Sequence, residues 1–201
     1  TTLAMEIRKD GINIYYRGGS LLKIKEVGEN QYNGYFDKNY IKTENNQIVL
    51  GCENTIIPED IESIGEYAFS DCINLSNLYI PASVTEIKTS AFRGCGGLKN
   101  IIVAENNPVY DSRNNSNAII ETENNQLVTG CRNTVIPENR ESIGLYAFSG
   151  CDGLTAIDLP ENLQEIDGGA FEDCINISSL YIPENVRKIG YYAFQGCSGL
   201  E

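Results

Sequence analysis

The sequence predicts an α/β repeat solenoid, and three observations carry that expectation. Pro58, Pro81, Pro137, Pro160 and Pro183 are separated by 23, 56, 23 and 23 residues, and Cys72, Cys95, Cys151, Cys174 and Cys197 repeat the same intervals. Within each period an alternating, strand-like run adjoins a stretch of helical spacing. A fixed period in this range means coil stacked on coil, each packing mainly on its neighbours.

The unit is clearest at residues 57–80, IPEDIESIGEYAFSDCINLSNLYI, and returns as IPASVTEIKTSAFRGCGGLKNIIV, IPENRESIGLYAFSGCDGLTAIDL and LPENLQEIDGGAFEDCINISSLYI. A partial copy, IPENVRKIGYYAFQGCSGLE, runs from 182 to 201. With the proline as position 1, position 4 is Ile61, Val84, Arg140, Leu163 and Val186, and position 7 is isoleucine in every copy. Positions 11 and 12 are always Ala-Phe, 15 is cysteine, 18 is leucine or isoleucine, and 21 and 23 are aliphatic. Like residues stack when coils pile up, so the five phenylalanines are expected to form one continuous row. Burying each is worth about 1.5–3 kcal/mol.

Alternation at positions 21 and 23 predicts one short strand per coil, paired with the next coil's strand. Positions 11, 12, 15 and 18 predict a short helical turn at AFxxC. Proline at position 1 ends the strand because it cannot donate to a ladder. Gly65, Gly144 and Gly190 at position 8 suggest a bend that Lys88 and Asp167 tolerate elsewhere.

A larger repeat overlies the short one. KTENNQIVLGCENTIIPE (42–59) is matched by ETENNQLVTGCRNTVIPE (121–138) at an offset of 79. Both carry β-prone runs beside Asn-Asn pairs, Asn45-Asn46 and Asn124-Asn125, which tolerate positive φ. They are expected to form β-hairpins projecting from the solenoid edge, with insertions near 40–51 and 104–134. AENNPVYDSRNNSN (104–117) reads as a polar loop, since it lacks the acidic spacing of an EF-hand. Residues 1–40 do not match the repeat and form a β-rich N-terminal segment before the solenoid of 41–201. INIYYRGGSLLKIKEV (12–27) flanks Gly18-Gly19 as a hairpin would, and Asn33-Gly34 offers a second tight turn. Tyr15, Tyr16, Tyr32, Tyr35 and Tyr40 there make either an aromatic binding face or a cap for the open end of the coils.

Composition narrows the function. Net charge is −13 and there is no histidine among 201 residues. That balance argues against nucleic acid, which needs clustered Lys and Arg, and removes the commonest general base. No nucleophile-elbow, phosphate-loop or dinucleotide motif is present. The seven cysteines contain no CxxC pair, so buried reduced thiols are expected rather than a metal site. No catalytic, cofactor-binding or metal-binding residue is assigned. No run approaches the roughly 18 apolar residues of a membrane helix, so no membrane insertion is expected of this chain. The first residues hold no apolar run and the last fall inside a repeat, so a processed or trimmed chain is expected. Arg140 is the one polar residue at an apolar position, expected to snorkel.

The pattern IPxxVxxIGxxAFxxCxxLxxIxI resembles the BspA-like leucine-rich repeats of Bacteroidetes and related organisms, over roughly 57–103 and 135–201, and NPVYDSRNNSNAIIETENNQLVTGCRNTVIP is similar to that family's hairpin insertion. The resemblance implies a right-handed, leucine-rich-repeat-like coil with short parallel strands, short helical turns and inserted hairpins. It implies a cell-surface or secreted protein, some of whose relatives bind host matrix or plasma proteins; with the catalytic motifs missing and a solenoid surface suited to proteins or glycans, a non-enzymatic binding or adhesion protein is the first expectation. It lends no ligand motif. A structural spacer or self-assembly module is the second expectation. Solenoids bind through extended surfaces. The outward sites at position 22, Tyr79, Ile102, Asp158 and Tyr181, with Asn77 and Asn100 at position 20, are therefore the candidate ligand-binding residues.

Overall fold

A computed structural model describes residues 4–8, 11–15, 21–24, 42–51 and 55–200. Gly18-Gly19, Asn33-Gly34, Tyr16, Tyr32, Tyr35, Tyr40 and Cys52 lie outside them. The chain divides into two units, Thr1–Phe36 and Asp37–Glu201. In the first, β1 (Ala4–Arg8), β2 (Gly11–Tyr15) and β3 (Leu21–Ile24) form an antiparallel sheet in that order. Arg8 stands opposite Gly11, and Tyr15 opposite Leu21.

The second unit is a β-solenoid of about six turns. It opens with β4 (Lys42–Glu44) and β5 (Gln47–Leu50), antiparallel across Asn45 and Asn46, whose φ values of 50° and 58° make the turn that matches strand twist. β5 then pairs in parallel with β6 (Ser63–Ile64). β7 (Asn77–Ile80), β8 (Glu86–Ile87) and β9 (Asn100–Val103) follow, β8 joining β6 and β9 joining β7. The second half repeats the plan with β10 (Tyr110–Asp111), β11 (Ile119–Glu121), β12 (Gln126–Thr129), β13 (Ser142–Ile143), β14 (Glu165–Ile166) and β15 (Lys188–Ile189) in one sheet of that order. The hairpins therefore do not project. β5 and β12 are the first rungs of the parallel ladders, with Ile48 stacked on Ile64 and Leu127 on Ile143.

The strand that recurs in every proline-headed coil lies at positions 6 and 7, not at 21–23 as the alternation suggested. Only β7 and β9 pair at the later site. There Asn100 donates to Asn77 Oδ1 at 2.7 Å, and β-branched Ile102 and Val103 face Tyr79 and Ile80. The corresponding 156–159 is Ala-Ile-Asp-Leu, and alanine and aspartate are poor strand formers. The outward and inward alternation survives there without the ladder.

The AFxxC stretch is not helical, so the α/β expectation is corrected. Among the described residues the only helix is a 3-10 turn at Arg113–Asn115. Each coil instead places left-handed residues at positions 10 and 14: Tyr67 and Asp71, Ser90 and Gly94, Tyr146 and Gly150, Gly169 and Asp173, Tyr192 and Gly196. A positive φ on both sides of Ala-Phe breaks any helical run. The freed amides reach the next coil, as in Phe69 N to Ala91 O at 2.8 Å and Asp71 N to Arg93 O at 2.8 Å.

The interior is ladders of like residues. Ile64, Phe69, Leu75, Leu98, Ile143, Phe148, Leu154, Ile166, Phe171 and Ile177 are all buried. The phenylalanines form two stacks rather than one row: Phe69 on Phe92 at 5.2 Å between centroids, and Phe148, Phe171 and Phe194 at 5.1 and 5.5 Å. The hairpin coil between them has no Phe. Its Gly130 amide donates to Ala147 O at 2.8 Å, and a Cβ there would stand 2.2 Å from the Phe148 ring. Its edge is shorter as well, so Gly94 N of the preceding coil reaches past it to Ser149 O at 3.1 Å. The core accordingly forms two clusters, one around Phe69 and Phe92 and one around Phe148 and Phe171.

The 104–117 segment stitches this seam with side chains in place of a backbone ladder. Tyr110 Oη accepts from Ile87 N at 2.8 Å, Ser112 Oγ from Val103 N at 3.1 Å, and Asn117 Oδ1 from Ile101 N at 2.6 Å. Asn107 fixes the turn, donating to Pro81 O and Val84 O and accepting from Val109 N and Tyr110 N. The polar composition of the segment thus serves donors that would otherwise be orphaned at a strand edge.

The cysteines stack at position 15. Cys95 Sγ donates to Phe69 O at 2.9 Å, Cys174 to Phe148 O at 3.1 Å and Cys197 to Phe171 O at 3.0 Å. Each thiol thereby satisfies a carbonyl of the coil before it. Burial pushes Cys151 up to about 12, and Cys95 and Cys174 are raised by the same cause. Arg140 does not snorkel. It is wholly buried, with Nη1 donating to Asn125 Oδ1 at 3.0 Å. Nε and Nη2 are buried without a hydrogen-bond partner, and burial lowers the pKa of the guanidinium.

Candidate ligand-binding face

The six candidate residues all project outward. Asn77, Tyr79, Asn100 and Ile102 share the outer face of β7 and β9, with Asn77 opposite Asn100 and Tyr79 opposite Ile102. Their inward neighbours Leu78, Ile80, Ile101 and Val103 are buried, so period-two alternation fixes which side chains face water. Asp158 and Tyr181 come together separately, lining one shallow concavity of about 390 Å³ with Glu138, Glu161 and Ser179. The 113–115 segment and the hairpin coil lie between the two groups in the chain.

Position 22 proves to be a longer column than the complete repeats indicated. Ile56 and Val135, two residues before Pro58 and Pro137, occupy it in the hairpin coils, 84% and 65% exposed. With Tyr79 at 47%, Ile102 at 57% and Tyr181 at 64%, five large apolar side chains stand at this position, joined by Asp158. The signal was in the sequence: TIIPE and TVIPE align their prolines with every other coil. Their exposure sets them apart from the inward positions 21 and 23 of the same coils, where Leu78, Ile80, Ile101 and Val103 are buried.

A second recess lies at the seam, a pocket of about 150 Å³ lined by Lys88, Arg93, Tyr110, Glu121, Gln126 and Tyr146 among others. Its charged wall is already engaged, because Arg93 is paired with Glu172 and lies 4.4 Å over the Tyr146 ring.

The repeat and the coil geometry correspond to one known family. The family model described as the BspA type leucine rich repeat region matches in six copies over residues 39–116 and 120–201. The chain belongs to the BspA-type leucine-rich-repeat family. No curated protein matches the sequence at a significant level. Among solved structures, a leucine-rich repeat protein from Eubacterium ventriosum ATCC 27560 is similar at 19% identity and a TM-score of 0.57, covering 76% of this chain and 52% of its own. The pneumococcal vaccine antigen PcpA is similar at 20% identity and a TM-score of 0.52, covering 72% and 48%. These likenesses show the fold alone. The chain spans about half the length of those solved proteins. Among the described residues no helix is long and apolar enough to cross a membrane.

Proposed function

We propose that this chain is a non-enzymatic, surface-associated recognition module that binds a protein or glycan ligand through the column at position 22. The observation that supports this most is the exposure of Ile56, Tyr79, Ile102, Val135 and Tyr181 at one position of the repeat, with Tyr79 and Ile102 directly opposite each other on β7 and β9. The repeat's own constant residues are accounted for by packing, which leaves recognition to the residues that vary. Membership in the BspA-type family supports the surface location and the binding role.

The reading is tested with an array of immobilised matrix proteins, plasma proteins and glycans, probed with the intact chain and with Tyr79→Ser/Tyr181→Ser. A ligand bound by the intact chain and weakened at least tenfold by the double substitution supports the column as the site. Equal binding by both, with unchanged thermal unfolding, places recognition elsewhere.

A further inference from the structure

The column is bordered by carboxylates, and the pattern repeats with the coil. Position 2 reads Glu59, Ala82, Glu138, Glu161 and Glu184, and all four glutamates are exposed. Glu138 and Glu161 share the concavity that also contains Asp158 and Tyr181. None of Glu138, Asp158 and Glu161 forms an ion pair with a described residue. No Lys or Arg stands at positions 20, 22 or 2 of any coil. Two basic residues fall between Ile102 and Val135 in the chain: Arg113 is itself engaged by Asp111, and Arg132 turns to the Gly96 carbonyl, to which Nη2 donates at 3.5 Å. The face therefore combines an apolar column with a negative border, in which Glu138, Asp158 and Glu161 have no ion-pair partner among the described residues, and such a border favours a cationic partner and disfavours an anionic one. At Tyr181 an exposed aromatic ring stands among three carboxylates, a combination suited to an ammonium or guanidinium group.

We infer that the position-22 face docks a basic polypeptide segment, with a lysine or arginine side chain seated among Glu138, Asp158, Glu161 and Tyr181 and apolar side chains laid along the column. This rests on the strand face being the binding surface, and it adds the chemistry of the occupant. The apolar column contributes contact area; the carboxylates select the sign of charge and speed encounter.

The test is fluorescence anisotropy with the full chain and three labelled, acetylated peptides of equal length that alternate valine with lysine, serine or glutamate. The lysine peptide is expected to bind and the glutamate peptide to fail. Glu138→Gln/Asp158→Asn/Glu161→Gln should weaken the lysine peptide at least tenfold. Glu66→Gln/Glu123→Gln/Asp152→Asn, which removes the same charge from exposed sites away from the column, should change it less than threefold. Equal losses in the two triple variants overturn the inference, since net charge alone would then explain binding. Preferential binding of the serine or glutamate peptide that Tyr79→Ser/Tyr181→Ser abolishes overturns the basic occupant while keeping the face. Binding of any peptide that neither the triple nor the tyrosine variant alters overturns both.

Discussion

Arg93 and Glu172 stand 79 residues apart, the offset of the larger repeat, and meet in a bidentate ion pair. Arg93 Nη2 lies 2.8 Å from Glu172 Oε2 and Nε lies 3.1 Å from the same oxygen. Ser149 Oγ donates to that oxygen at 3.2 Å. All three occupy position 13, so the pair joins the coil before the inserted segment to the coils after it. Burial disfavours the charged guanidinium, and the Glu172 hydrogen bond and charge more than offset it, raising the pKa of Arg93.

Removing that clamp should destabilise the seam. Arg93→Met leaves a mostly buried carboxylate without its partner, and charged hydrogen bonds of this kind are worth about 1.5–3 kcal/mol. Urea unfolding should show a loss of that size, with a smaller loss for Glu172→Gln because Ser149 can still donate to it. Indistinguishable midpoints for wild type and Arg93→Met would show that the seam is held by packing alone.

Arg140 gives the opposite sign. Its buried guanidinium has one hydrogen bond, to Asn125, where the other coils place Ile61, Val84, Leu163 or Val186. Replacing a poorly compensated buried charge by a packed apolar side chain is commonly neutral or stabilising by about 1–4 kcal/mol. Arg140→Leu should therefore raise the thermal midpoint or leave it unchanged. A fall equivalent to more than about 1 kcal/mol would mean that the bond to the Asn125 turn contributes more than the burial of charge costs.

The phenylalanine stacks are unequal along their length. Phe171 is fully buried with a ring on each side, whereas Phe194 stacks on one side and is partly exposed. Phe171→Ala should cost about 3–5 kcal/mol in chemical denaturation, and Phe194→Ala distinctly less. Equal costs would remove the stack as the source of the difference.

The thiols predict an alkaline limit. Cys151 is raised from 9.0 to about 12 by burial, so the folded state holds a proton that the unfolded state releases. Its contribution is fully present below about pH 9 and is lost progressively as the pH rises from there towards 12. Stability of Cys151→Ala should fall less steeply over that window. At pH 8, iodoacetamide should modify Cys95, Cys151 and Cys174 only on unfolding; labelling in the native protein would contradict their burial.

Much of this could be read from spacing. Period fixed the solenoid, Ile at position 7 and Ala-Phe at 11 and 12 marked the core, and the Asn45-Asn46 turn followed from tolerance of positive φ. The helical reading of AFxxC failed because positions 11, 12, 15 and 18 are equally spaced for a turn that is unwound at both ends. Asp or Gly at position 14, in Asp71, Gly94, Gly150, Asp173 and Gly196, was the available sign of left-handed backbone. Tyr67, Tyr146 and Tyr192 gave none, since tyrosine has no preference for that conformation, and coil-to-coil hydrogen bonds impose it. Of the candidate face, Tyr79 and Tyr181 were legible from alternation; the grouping of Tyr181 with Glu138 and Glu161 depends on which coils adjoin, which spacing alone does not give.

The most direct test of the position-22 face is hydrogen–deuterium exchange with and without a ligand captured on the array. Segments 156–158 and 179–181 lie outside the parallel ladder, so their amides should exchange readily in the free protein and slow when the face is covered. Protection there, with no change around Tyr67, Leu145 and Tyr191 on the Ala-Phe edge, is the predicted result. Protection confined to that edge, with 156–158 and 179–181 unchanged, would contradict the assignment of the column as the binding surface.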